Sequence, residues 1–313
     1  MSLIVTGTIG IDSVYTPSGQ AEKVLGGSCI YFSAAASFYT KVRMVAAVGG
    51  DFPKGFWKVF DKFPAIDTAG LEVRPASKTF AWGGKYHENM NSRETLFTEL
   101  GVLVEAAPPM PESYRDSQVV FLANSHPGVQ AGMLTQLPKR KLVVADTMDL
   151  WINTAKVELE RLLRTIDGVV LNYDEAEMLT GKKNPVTAAR HMLKDYGGKK
   201  GLKFVVVKKG EHGSLIIHKS GIAALPAYPA EKVIDPTGAG DTFAGGMMGY
   251  LASAVKKGGT KAVTLPVLLK AASHGTVAAS FNIESFSLDR LMKLKKSELV
   301  KRHKEFAAMT RIG

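Results

Sequence analysis

Cysteine is almost absent from this chain. Cys29 is the only one in 313 residues, which excludes an intrachain disulfide and a cysteine-built metal cluster and fits a reducing compartment. Its place just after Gly26-Gly27 reads as a small buried hydrophobe. Long apolar runs are missing as well. No stretch approaches the roughly 20 residues that cross a bilayer, and the first residues lack a basic region, an apolar run and a small-residue cleavage site. A cytoplasmic protein with no membrane partner is the expectation. Internal repeats, low-complexity segments and linkers are also lacking, so 1–313 reads as a single domain. His87, His126, His212 and His274 have no metal-ligand spacing, which leaves each a structural role. Acidic residues are in short supply, 29 against 40 Lys and Arg, for a net charge of +11. The excess is densest at Lys293, Lys295, Lys296, Lys301, Arg302, Lys304 and Arg311, interleaved with Leu291, Leu294, Leu299 and Phe306 at helical spacing. A solvated helix face explains this better than a nucleic-acid surface, and the charge still attracts anionic small molecules.

What is present is an alternation of strand and helix. Apolar, β-rich runs at 3–5, 42–48, 119–123, 142–145, 168–171 and 204–207 are separated by stretches of helical periodicity, the pattern of a mostly parallel sheet covered on both faces. Ligands of such sheets lie beyond the strand C-termini. Asp12, Asn124, Asp146, Asn172 and Lys208 each follow an apolar run at that edge. Two segments break the alternation: 13–24, polar with Pro17 and Gly19, and 79–103, which carries Phe80, Trp82, Tyr86, Thr95 and Phe97. Both read as antiparallel strands outside the main sheet.

The most informative stretch is Asp235-Pro236-Thr237-Gly238-Ala239-Gly240-Asp241-Thr242-Phe243-Ala244-Gly245-Gly246. Gly238, Ala239 and Gly240 let successive backbone N–H groups face one point as the helix beginning near Thr242 opens, which makes an anion cradle. Asp241 then stands beside the anion, where a carboxylate takes a proton from an attacking hydroxyl. The plainer reading of Asp241 is an N-cap, but a cap has no use for small residues on both sides of it.

This string resembles the C-terminal signature of the ribokinase-like (PfkB) carbohydrate kinase family, and four further motifs resemble that family in the expected order. They are 5–12, which ends in Asp12; Gly26-Gly27 with the small-residue run 33–37 and 46–51; Asn172-Tyr173-Asp174-Glu175; and 205–213. The resemblance covers essentially the whole chain. It implies a ribokinase-like three-layer α/β/α core with a mostly parallel sheet, plus a small β lid from about 13–25 and 78–104. It also implies an ATP- and Mg2+-dependent phosphorylation of a hydroxyl on a small sugar or sugar derivative. Asp241 is the base, with the N–H groups of Gly238, Ala239 and Gly240 on the transferring phosphoryl group.

Asn172, Glu175, Lys208, Gly210 and Gly213 fall to the nucleotide, Glu175 acting on magnesium through water. Asn172 and Glu175 also make a capping box, and Gly213 an ordinary hairpin turn. Lys208 stands where many relatives carry Thr or Ser. Asp235 and Thr237 match positions that help bind a monovalent cation, K+. Asp12, Gly26 and Gly27 fall to the acceptor. Tyr31 occupies a slot where ribokinases place Asn, which argues against ribose and leaves open stacking on a sugar or base, or core filling. Asn89, Asn91, Ser92 and Arg93 read as an exposed hairpin tip. The alternatives are a nucleoside kinase of the adenosine, inosine or guanosine type, a non-catalytic sensor, and a nucleic-acid binder. Lid strands pairing between subunits would give a homodimer.

Overall fold

Runs of Val, Ile and Leu too apolar to leave either face in water become the middle of a sheet. The computed structural model describes residues 2–310, and Arg311 of the basic C-terminal group lies outside them. In chain order the strands are β1 (Leu3–Thr6), β2 (Gly10–Thr16), β3 (Gly19–Gly26), β4 (Val42–Gly49), β5 (Ile66–Arg74), β6 (Phe80–Tyr86) and β7 (Arg93–Glu99). Then follow β8 (Val119–Leu122), β9 (Leu142–Asp146), β10 (Gly168–Asn172), β11 (Phe204–Lys208), β12 (Ser214–His218) and β13 (Gly221–Leu225). Nine form one sheet in the order β13-β12-β11-β10-β9-β8-β1-β4-β5. It is parallel from β11 to β5, with β12 and β13 added antiparallel.

Side-chain alternation divides the core between the two faces. Leu3, Val5, Phe204 and Val206 enter one apolar cluster, packed by helices Ser28–Ser37, Ala239–Gly258 and Leu265–Asn282. Ile4, Val205 and Val207 enter the other, under Pro127–Thr135, Lys156–Leu163, Tyr173–Thr180 and Pro185–Asp195. All six expected apolar strands are present. The sequence reading did not assign β5, β12 and β13 to the main sheet. These lie at or next to its edges, where half the side chains meet water and the apolar run that marks a central strand is lost.

A second sheet, ordered β3-β2-β6-β7, stands apart. Its outer pairs are antiparallel, but β2 and β6 run parallel, a departure from the antiparallel reading of these segments. The turn between β1 and β2 is held to the start of helix Ser28–Ser37 by a reciprocal pair: Ser28 N–H donates to Thr8 Oγ1 at 3.1 Å and Thr8 N–H to Ser28 Oγ at 3.2 Å.

Helix Ala239–Gly258 must lie very near its neighbours to bring its N-terminus to the sheet edge. A methyl on Gly245 would overlap the Phe32 carbonyl, and one on Gly246 would stand 2.9 Å from the His274 carbonyl. Helix propensity alone predicts that Gly245→Ala stabilises by about 1 kcal/mol. The close approach reverses the sign, and thermal unfolding of Gly245→Ala should show a loss of about 1–3 kcal/mol. A raised Tm would contradict this packing.

Candidate active site

Gly238 takes φ 73°, ψ 0°, a left-handed conformation that turns the chain into helix Ala239–Gly258. It is also pressed from below, since a Cβ there would lie 2.5 Å from the Tyr31 ring. Asn282, buried at the end of helix Leu265–Asn282, fixes this turn from the other side. Its Nδ2 donates to the Thr237 carbonyl at 2.8 Å and its Oδ1 accepts from Thr242 Oγ1 at 3.2 Å. Of the three expected cradle donors, Ala239 N–H is turned to the Pro236 carbonyl at 3.1 Å. The N–H groups of Gly238 and Gly240 make no backbone hydrogen bond, which leaves these two to meet an anion.

Charged groups converge above this cradle. Lys208, the last residue of β11, approaches so closely that a methyl on Gly240 would lie 2.7 Å from its Nζ. Asp241 stands at the rim, and burial pushes its carboxyl up to about 6 while Lys208 draws it down. Asp146, at the end of β9, has Oδ1 buried without a partner. Burial and the charge of Asp241 raise it well above the ordinary carboxylate range, against the pull of Lys208. Asp12, in β2, lies near enough to feel the same charges: burial, then Asp235 and Asp241, push it up to about 8. It too has a buried, unpartnered Oδ1. A Cβ on Gly26 would overlap Asp12 Oδ2, and Gly27, at φ 101°, lies against the backbone of Thr8 to Gly10. The glycine pair thus makes room for this carboxylate.

Other expected residues serve mixed ends. Asn172 Oδ1 accepts Glu175 N–H at 2.8 Å and Glu175 Oε2 accepts Asn172 N–H at 2.7 Å, so the capping-box reading is realised. One Glu175 oxygen is left, on a buried carboxyl pushed up to about 6 by burial and relieved in part by Lys208. Gly213 takes φ 79° in the turn between β11 and β12, where a Cβ would overlap the Leu225 carbonyl of β13, while Gly210 faces Asn91 Oδ1 at the tip of the second sheet. Asp235 Oδ1 caps Thr237 N–H at 2.8 Å and its Oδ2 is buried without a partner. Thr237 Oγ1 instead donates to Tyr86 Oη of β6 at 3.3 Å. The Tyr31 ring is 2% exposed beneath the cradle, which makes it a floor more than a wall.

Three more residues gather here: Asp146, which the sequence places at this strand edge without assigning it a role, Asn282 and Arg93. Asp146 had a legible signal, a carboxylate ending an apolar parallel strand. Asn282 had none, since it lies inside an apolar helix. Arg93 read as part of a hairpin tip, and the tip is there: Asn89 Oδ1 accepts from Asn91 N, Ser92 N and Ser92 Oγ. Arg93 itself, stacked 5.8 Å from the Trp82 ring, faces inward near enough to favour ionised Asp241 and Glu175. Near the Gly26-Gly27 turn, Ser28 Oγ donates to the Asn124 carbonyl at 3.4 Å, and Trp151 Nε1 to Asn124 Oδ1 at 2.9 Å. His126 packs edge-on against Trp151, 5.2 Å between centroids.

Residues 131–286 match the family described as pfkB family carbohydrate kinase. The chain is 31% identical over 258 residues to a cytidine kinase of Thermococcus kodakarensis, covering 80% of this chain and 88% of that one. Its fold matches the nucleoside kinase of Methanocaldococcus jannaschii at TM-score 0.74 and 20% identity, over 97% and 98% of the two chains. It also matches a protein named ribokinase II from E. coli, solved with ATP and Mg2+, at TM-score 0.72 and 16% identity over 97% and 99%.

Two consequences of the electrostatics are measurable. Asp12 titrates near 8 in the fold against about 4 in an unfolded chain. Its ionisation therefore costs stability that is absent below about pH 4 and grows as pH rises toward 8. Asp12→Asn should raise Tm more at pH 8 than at pH 4.5, and an equal shift at both pH values would contradict the burial argument. Removing the Lys208 charge has the opposite leverage on Asp241. If ionised Asp241 is required, wild-type kcat/KM falls as pH drops through about 6, and Lys208→Met should move that limb to higher pH. A limb that stays in place would separate Lys208 from Asp241.

Proposed function

We propose, given that the chain belongs to the pfkB family of carbohydrate kinases and is an ATP-dependent kinase of a carbohydrate or nucleoside, that its acceptor is a nucleoside sugar hydroxyl and Asp241 the general base. The observation that carries the reaction is the meeting of Asp241, the glycine turn and Lys208 Nζ within electrostatic reach of Asp12. A carboxylate titrating near 6 is ionised at neutral pH and still basic enough to accept a hydroxyl proton in the transition state. The N–H groups of Gly238 and Gly240, the helix N-terminus and Lys208 then lie where negative charge gathers on the transferring group. Asp12, with an unpartnered oxygen, hydrogen-bonds acceptor hydroxyls, and Gly26 and Gly27 let the sugar approach the backbone. The second sheet acts as the lid, with Arg93 bringing a further positive charge and Asn91 Nδ2 joining Glu211 Oε1 at 3.1 Å to tie it to the Gly210–His212 turn.

Nucleoside over free sugar is supported by the aromatic pair Trp151 and His126 beside Asn124, and by the 31% identity to a cytidine kinase. Divalent magnesium fits the orphaned Asp146 Oδ1 and the remaining Glu175 oxygen, whose burial a cation would relieve. Among the described residues no three His, Cys, Asp or Glu gather to cage a metal. The ion would thus take most ligands from water and triphosphate, and bound there it neutralises phosphate charge. Asp235 Oδ2 is a free donor for a monovalent cation beside the cradle, and Thr237 keeps a lone pair on its hydroxyl and on its carbonyl, each of which makes one protein hydrogen bond. Strand β7 is exposed along its length, with Leu96 and Phe97 outward, and is the edge through which a second copy would pair. A monomer by sedimentation at assay concentration would remove that reading.

The test is ADP release from ATP and Mg2+, with and without K+, over cytidine, uridine, adenosine, inosine, guanosine, free pentoses, hexoses, polyols and sugar acids. We expect turnover on a nucleoside, stimulation by K+, and a loss of about 10²–10⁴-fold in Asp241→Asn. Turnover confined to free sugars or polyols would overturn the acceptor, and full activity in Asp241→Asn would overturn the base.

A further inference from the structure

At the edge of the main sheet opposite Asp241, the starts of β9, β10 and β11 border a hollow of about 420 Å3 whose lining includes Arg140, Lys141, Asp167, Lys199, Lys200 and Lys203. Its carboxylate is already committed, because Asp167 accepts Val143 N–H at 2.8 Å and pairs with Lys203. Arg140 directs Nη1 to the Leu134 and Leu137 carbonyls at 2.8 and 2.9 Å, which anchors its head at the rim.

Two of the lysines are presented by a wound loop, Gly197-Gly198-Lys199-Lys200-Gly201. Leu202 N–H closes it on the Tyr196 carbonyl at 3.0 Å, and Gly198 takes φ 122°. A side chain on Gly197 would overlap the Leu193 carbonyl, and one on Gly201 the Tyr196 carbonyl. The backbone therefore constrains the base of a lysine pair that a slack loop would let drift apart. Counting Lys203 as neutralised by Asp167, four cations from two separate chain segments surround one concavity of small-molecule size. Their mutual repulsion is best relieved by one ligand with several negative charges in a row.

We propose that this hollow is a second anion site, separate from the kinase site, that binds a small oligophosphate, either inorganic or as the phosphate tail of a nucleotide. The five residues of β9 put about 17 Å of strand between it and Asp146, so one ligand does not serve both.

The test is calorimetric titration of the full chain with inorganic tripolyphosphate, and in parallel with ATP, for wild type and for the triple variant Lys141→Gln, Lys199→Gln, Lys200→Gln. All three side chains are exposed, so the variant should keep the wild-type Tm and its ADP release. The expected result is one class of binding weakened by at least about tenfold in the variant while the other persists. Equal affinity of that class for tripolyphosphate and ATP would assign recognition to the phosphates alone, and tighter ATP binding would assign a nucleotide. Identical titrations for the two proteins would overturn the site. Tighter binding of a single-stranded oligonucleotide than of tripolyphosphate would overturn the small ligand. Kinase turnover is read independently, so failure here leaves the reading of Asp241 intact.

Discussion

Crowding of buried carboxylates at one end of the sheet is the constraint on which the rest of this structure depends. Asp12, Asp146, Glu175 and Asp235 are all at most 8% exposed, and Asp241 stands within electrostatic reach of Asp12 and Asp146. Each is raised by burial, and Asp12 and Asp146 are raised further by neighbouring carboxylates. Like charges held this way oppose folding. Lys208 Nζ, lying over Gly240, offsets only part of that. The arrangement makes sense as a site built for ligands that bring what it lacks, namely cations for the acids and hydroxyl donors for Asp12.

Such crowding needs rigid supports, and the backbone supplies them through close approach. The Gly26-Gly27 turn lies against Asp12 and Thr8, Gly238 lies on Tyr31, and Gly245 lies on the Phe32 carbonyl. These contacts link helix Ser28–Ser37, which carries Tyr31 and Phe32, to helix Ala239–Gly258, which carries Asp241. Asp12 and Asp241 are therefore positioned by one helix pair. Asn282 adds a third helix to the clamp by holding both Thr237 and Thr242. A shift of any of these elements would separate the cradle from Asp12, so packing and chemistry are not independent here.

Much of this was legible in the sequence because the chemistry sits at strand ends and at a helix start, where short patterns speak. Asn124, Asp146, Asn172 and Lys208 follow apolar runs that become β8, β9, β10 and β11, Asp12 follows the run of β1 but lies in β2 of the second sheet, and Asp241 stands out through the small-residue string around it. What escaped depended on face and depth. The inward direction of Arg93 could not be told in an edge strand with every residue exposed. Asn282 is a single polar residue in a helix whose period points to core. Ala239 N–H was expected in the cradle, yet a turn around a left-handed Gly238 sends it back to Pro236. Spacing alone does not reveal which of three successive amides a turn will spend.

The same division explains why a reaction is easier to read here than its acceptor. Phosphoryl transfer needs a base, a cradle and a cation, and these are fixed by backbone geometry that few sequences satisfy. In the proposed nucleoside reading, acceptor choice falls to side chains after β8 and β9, namely Asn124, His126, Met148 and Trp151, any of which could fill space in another protein. Their arrangement gives them meaning. Asn124 is held on one side by Trp151 Nε1 and on the other donates toward Met148 Sδ at 2.9 Å, so its amide is oriented before any ligand arrives. An oriented amide beside an aromatic pair, linked through Ser28 to the glycine turn at Asp12, is the geometry on which the proposed nucleoside acceptor rests.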